Sequence, residues 1–177
     1  TIVDQQQVTL AEQNQRFQEQ RLELTNQQNA IKIQSAALDL QRAVLQVYQV
    51  YPRFLFWRLA STSSLSNDDI KNGDAAEKEL IEAVSVIQEI DEELGESIEL
   101  FLLDLSDFND SVDRAIEAFR AEDDRYARSI VSASQNQVIT MTSVLEVSIY
   151  VANEVVEEAQ TVVNESLGAL ESSVGAV

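Results

Sequence analysis

The sequence predicts an all-α fold: an antiparallel up-down-up-down four-helix bundle whose long first and last helices extend as a coiled-coil stalk. Three observations carry this. Four glycines and one proline in 177 residues leave little material for turns, and the residues that fill most other positions, Leu, Val, Ala, Glu, Gln and Ser, favour helix over sheet. Apolar residues recur at intervals of seven along nearly the whole chain. The helices read from that period have lengths that fit four segments packed side by side.

The first helix carries Val3, Leu10, Phe17, Leu24, Ile31, Leu38 and Leu45 as one apolar stripe. Up to about residue 29 its flanks are glutamine-rich, which predicts a narrow buried seam. From about Ala30 the face widens with Ile33, Ala37, Leu40, Val44, Val47, Tyr48, Tyr51, Phe54 and Trp57, as a bundle core requires. The stretch STSSLSNDD ends it, and Ser66 followed by Asp69 reads as a capping box. A second helix from about Asp68 has core positions Ala76, Leu80, Ala83, Val84, Ile87, Ile90 and Leu94, with Gly95 as its terminating glycine. The third, about Glu96 to Ala121, carries Ile98, Leu105, Val112 and Phe119, with Phe101, Phe108, Ala115 and Ile116 beside them. The acidic run before Arg125 starts a fourth helix near Asp123. Its late stripe is Ile149, Val156, Val163, Leu170 and Val177, opposite Ala152, Ala159 and Ser166.

Helices two and three each rise about 39 Å at about 1.5 Å per residue. Residues 35–62 and 124–150 match them, so the bundle spans about 35–150 of a single 1–177 domain. The remainders, 1–34 and 151–177, form the stalk. The turns at 62–68 and 121–124 then lie at the tip opposite both chain ends, and the absence of caps at either end reads as a segment cut from longer helices.

No cysteine and no histidine are present, which removes thiol and imidazole nucleophiles, a Ser-His-Asp triad, thiolate or imidazole zinc sites and disulfides. Asp123 and Asp124 are adjacent and point about 100° apart on a helix, so they make no acid-base pair. The remaining carboxylates are scattered rather than spaced as metal ligands. The expectation is no enzyme, no cofactor and no metal. A net charge of −19 disfavours nucleic acid. No apolar run approaches the about 20 residues that cross a bilayer, so the chain as it stands reads as soluble.

The only proline and only tryptophan lie in VYPRFLFWRLASTSSL, Val50 to Leu65. Pro52 removes the hydrogen bond to the Tyr48 carbonyl, and a kink there would leave room beneath Trp57. Arg53, Arg58, Arg120, Arg125 and Arg128 all map to the distal third. An arginine near a dry cleft binds a carboxylate at two points, with Tyr51, Trp57 and Tyr126 as walls. The candidate ligand-binding residues are Arg53, Trp57, Arg58, Arg125 and Tyr126, with Trp57 and Arg125 in one pocket. A small organic anion or an amino acid is the ligand class. The competing reading pairs these arginines with Asp68, Asp69, Asp123 and Asp124 on the surface and packs Trp57 and Phe54 in the core.

Two segments resemble the extracytoplasmic four-helix-bundle sensor domains of methyl-accepting chemotaxis proteins: YPRFLFW at 51–57 with SL at 64–65, and AIEAFRAEDDR from Ala115 to Arg125. The acidic residue that follows the tryptophan in that pattern is Ala60 here, so the contact it would make is absent and the ligand class is open to change. The resemblance implies a periplasmic domain of an inner-membrane receptor, joined to the membrane by flanking helices. It also implies a ligand-induced shift along the last helix toward a cytoplasmic signalling module. Because the stripe at Val3, Leu10, Phe17 and Leu24 is too apolar for water, a parallel homodimer is expected. The alternatives are a structural coiled-coil spacer or adaptor, or the sensor domain of a histidine kinase or cyclase.

Overall fold

The computed structural model describes residues 1–175, with side chains to residue 172. The described residues form four helices and no strand: α1 Ile2–Ser64, α2 Asn67–Ile90, α3 Glu92–Arg120 and α4 Asp124–Gly175. The chain divides into two compact units, one of residues 38–156 and one of residues 1–37 with 157–177. The sequence places the corresponding change at 34/35 and 150/151. Val177, the last member of the α4 stripe, lies outside the described residues.

The unit of residues 38–156 has one apolar core to which all four helices contribute. The central line of buried residues on α1 is Leu40, Val44, Val47, Tyr51 and Phe54, with Ala43 and Val50 beside it; on α3 it is Leu94, Ile98, Phe101, Leu105, Phe108 and Val112. Both sets alternate steps of four and three, the spacing that keeps one helical face inward. Leu80, Val84 and Ile87 of α2 and Met141, Leu145, Ile149 and Ala152 of α4 complete it. Tyr51 meets Phe101 and Phe54 meets Phe108 edge to face, with ring centroids 6.1 and 6.0 Å apart, a geometry that adds about 0.5–1.5 kcal/mol per pair beyond area burial. The Tyr51 hydroxyl is 2.7 Å from Thr142 Oγ1 on α4, so the phenol enters the core without losing a partner.

The core does not take the expected inner face of α1 along its seven-residue stripe. The stripe of residues seven apart is exposed from Val3, 62%, through Phe17, 60%, and Ile31, 65%, to Leu45, 56%. Ile33 and Tyr48, expected on the broad core face, are exposed as well. Two apolar stripes run along this helix, and the core takes the one through Leu40, Val47 and Phe54, which the aromatic contacts to α3 select. Pro52 is exposed inside α1, so the Tyr48 carbonyl that lost its donor faces water, which limits the cost of the proline.

The connections differ from the sequence expectation in detail. Ser66 caps α2 by accepting from the Asp68 amide at 3.2 Å, and the Asp69 carboxylate accepts from the Ser64 hydroxyl rather than from the Ser66 amide, so no capping box closes. Between α2 and α3 stands a single residue: Asp91 ends one helix and caps the next, its carboxylate accepting from the Leu94 amide at 3.1 Å. Helix three therefore begins at Glu92, and Gly95 lies inside its first turn rather than ending α2. Its lack of a side chain has another use, because a Cβ there would stand 3.2 Å from the Gln88 carbonyl oxygen.

In the unit of residues 1–37 and 157–177, Gln27 and Ala30 of α1 and Ala159, Val163, Ser166 and Leu170 of α4 are half-buried. Within Asp124–Ser172, α4 contains an 18-residue stretch of mean hydropathy 1.3, apolar and long enough by composition to cross a membrane. Met141, Leu145, Ile149 and Ala152, which α4 gives to the core, account for part of that apolarity.

At the end of α3, the Asp123 amide donates to the Ala118 carbonyl and the Glu122 amide to that of Phe119, which is a Schellman closure with Glu122 at φ 61 in the position usually held by glycine. Left-handed backbone costs a non-glycine residue about 1–2 kcal/mol. Glu122→Gly is therefore expected to stabilise the fold by about 1 kcal/mol, raising the melting temperature by about 2–4 °C in a thermal scan.

Candidate functional site

A cleft of about 420 Å³ opens where α1 ends, α3 ends and α4 begins. It is lined by Thr62, Ser63 and Leu65, by Phe119, and by Arg128, Val131, Ser132 and Gln135. The α4 residues follow steps of three, one and three, so they form one strip of that helix. Leu65 reaches the cleft because the chain leaves α1 through a left-handed residue, φ 54, whose amide donates to the Ser61 carbonyl at 3.0 Å. A bulky residue tolerates that backbone here because its side chain packs against the core.

The polar groups of the cleft are mostly unspent. Thr62 donates its hydroxyl to the Leu59 carbonyl at 2.8 Å, whereas Ser63, Arg128, Ser132 and Gln135 have no hydrogen-bond or ion-pair partner among the described residues. One free guanidinium, two free hydroxyls and an amide beside Leu65, Phe119 and Val131 suit a small anion with an apolar part.

The residues singled out from the sequence are not gathered there. Arg58 is buried and its guanidinium contacts Asp74, at 2.9 Å, and Glu77 of α2. It also lies over the Phe54 ring, 5.8 Å from the centroid, and against Gly73, where an added Cβ would be 3.2 Å from Nη1. Arg53 pairs with Glu79 of the same helix. Trp57 is half-buried with its ring edge to face on exposed Phe56 at 5.0 Å. Arg125 and Tyr126 are exposed on the first turn of α4, which Asp123 caps by accepting from the Tyr126 amide at 3.2 Å. Neither Trp57 nor Arg125 lines the cleft at the helix ends. Arg128, one of the five distal arginines, does; three-residue spacing from Arg125 is the signal that separates them.

A second cleft, about 450 Å³, runs between α3 and α4 and is acidic: Asp107, Asp110, Ser111, Asp113, Arg114, Glu117 and Gln137 line it. Gln137 occupies a core-facing step between Ser134 and Met141, and its Oε1 is buried without a partner. Among the described residues no group of three potential metal ligands is assembled. Burial raises the Asp113 carboxyl above the ordinary aspartate value of 3.8; the Arg58 charge opposes this, and Asp74, Asp110 and Glu117 add to it. Burial likewise raises the Tyr51 phenol, against the hydrogen bond it shares with Thr142.

Removing the Arg58 side chain leaves the half-buried Glu77 carboxylate held only by Asn109, whose Nδ2 donates to it at 2.7 Å. Arg58→Ala should destabilise the protein by about 2–3 kcal/mol, below the loss from a fully buried pair because Asp74 and Glu77 keep some water. Arg125→Ala should leave the melting temperature unchanged. For Asp113 the sign is the reverse of a paired carboxylate: a folded-state value above the unfolded one means stability declines as pH rises from the unfolded-state value to the folded-state one. Asp113→Asn should remove that part of the decline and raise the melting temperature at neutral pH, measured by scans across the acid range. Comparison with protein-family models, with characterised proteins and with solved structures finds no match to this chain.

Proposed function

We propose that this chain is a ligand-sensing domain of a dimeric transmembrane receptor, in the manner of the periplasmic sensor domains of chemotaxis receptors, and that it is not an enzyme. The proposed architecture is an antiparallel up-down-up-down bundle. Its support lies in the direction of the contacts. Arg53 and Arg58 of α1 meet Glu79 and then Asp74 of α2, so numbers rise on one helix as they fall on the other. Glu77 and Asn67 of α2 meet Asn109 and Arg120 of α3 in the same opposed sense. The aromatic pairs of α1 and α3 rise together, as alternate helices do.

The observation that carries the sensing reading is the cleft at the helix ends, with Arg128 uncommitted beside free hydroxyls. A small organic anion or amino acid held there touches the start of α4, the helix that would carry a displacement toward the membrane. Flanking membrane helices, a cytoplasmic output module and homodimerisation belong to the same proposal.

The spacer or adaptor reading is favoured by one observation: Arg53 and Arg58 are already occupied by α2 carboxylates. A thermal-shift screen against amino acids and organic acids separates the two. A ligand at about 100 times its dissociation constant adds about 2.7 kcal/mol, or about 5–10 °C for a chain of this size. Such a shift, lost in Arg128→Ala and retained in Arg53→Ala, is the expected result. A hit that survives Arg128→Ala places the ligand elsewhere, and the absence of any hit leaves the spacer reading.

A further inference from the structure

The cleft at the helix ends has a charge pattern that narrows the class of anion it suits. Among the described residues Arg128 is its one charged lining residue, and the polar remainder, Thr62, Ser63, Ser132 and Gln135, is neutral. In a chain with 31 Asp and Glu against 12 Lys and Arg, a cleft with an arginine and no carboxylate is against the trend. The cleft at Glu19 and Glu165, the one at Asp107 and Glu117, and the one at Arg53 and Glu79 all carry carboxylates. Two acidic residues stand close to Arg128 along the chain and stay out of the cleft: Asp124, four places before it, is exposed, and Asp123 is engaged in capping the Tyr126 amide.

Resting on the sensing reading above, we propose that this cleft takes a monocarboxylate with a short apolar tail and rejects the α-amino acid of the same skeleton. The carboxylate meets the Arg128 guanidinium, whose planar fork holds two oxygens at once. The Ser63 and Ser132 hydroxyls, neither spent elsewhere, are free to donate to the same oxygens, and the tail lies on Leu65, Phe119 and Val131.

An α-ammonium sits one carbon from the carboxylate, so it enters beside the guanidinium. There Arg128 repels it and only neutral oxygens meet it. A charge drawn out of water without a counter-charge is penalised, whereas the same skeleton without its ammonium loses nothing. A dicarboxylate is disfavoured by the mirror argument: no second cation lines the cleft, and the chain around it has net charge −19.

Matched pairs that differ only in the ammonium test this: 4-methylpentanoate against leucine, and 3-phenylpropanoate against phenylalanine, each titrated into the whole chain by calorimetry. Each carboxylate is expected to bind about tenfold or more tightly than its amino acid, and Arg128→Ala to abolish that binding. Gln135→Glu sets a carboxylate on the same strip of α4, two turns beyond Arg128. It should reverse the preference, weakening the carboxylates and admitting the amino acids. Circular dichroism checks that each variant is folded. An amino acid that binds as tightly as its counterpart, and loses that binding in Arg128→Ala, would overturn the discrimination and leave the sensing site standing. Carboxylate binding unchanged in Arg128→Ala would overturn the placement in this cleft as well. No binding by any of the four probes would overturn the ligand class, whether or not the wider thermal-shift screen finds a hit.

Discussion

The fold rests on the packing of α1 against α3 through Tyr51 on Phe101 and Phe54 on Phe108. A chain of net −19 repels itself, and apolar burial with ring packing on this scale opposes that repulsion. The same contact decides which way α1 faces. Once Tyr51 and Phe54 are inward, Leu40, Val44 and Val47 follow by the helical period. Arg58 then lands between α1 and α2, where Asp74 and Glu77 neutralise it. The aromatic pairs thus fix the position of the one arginine that is buried, and they turn Leu45 and its stripe outward.

The four helices were legible because their core residues keep steps of four and three over long runs, which outweigh the breaker residues inside them, Pro52, Gly73, Gly95 and Gly168. Their ends were less so. Gly95 is a stop signal only if a helix must leave through left-handed backbone, but here Asp91 does the stopping through its carboxylate, and the glycine answers to the nearby Gln88 carbonyl. The left-handed positions went instead to Leu65 and Glu122, which no propensity favours. Tertiary packing holds the first, and the hydrogen bonds of the Schellman closure hold the second. The inner face of α1 was ambiguous for a plainer reason: both stripes are apolar, and periodicity counts apolar residues without saying which neighbour buries them.

The candidate site was legible in position along the chain but not in rotation around it. Five arginines and the turn segments mark the same end of the four helices. A residue's reach depends on angle, however, and Arg125 and Arg128 differ by about 60° around a helix of about 100° per residue. That difference sets Arg128 in the cleft with Ser132 and Gln135 and leaves Arg125 outside it. Gln137 escaped notice because a glutamine on a core step reads as an interruption until its neighbours Asp110 and Asp113 appear across the α3 and α4 cleft.

The two stripes of α1 are built from different materials, and the difference fits different demands. The core stripe uses leucine, valine and aromatic rings at every step, because it must overcome the chain entropy of folding. The outer stripe of residues 3–31 instead sets a glutamine three places after each apolar residue, so less apolar area gathers on that face, and its members are exposed while the core stripe is buried.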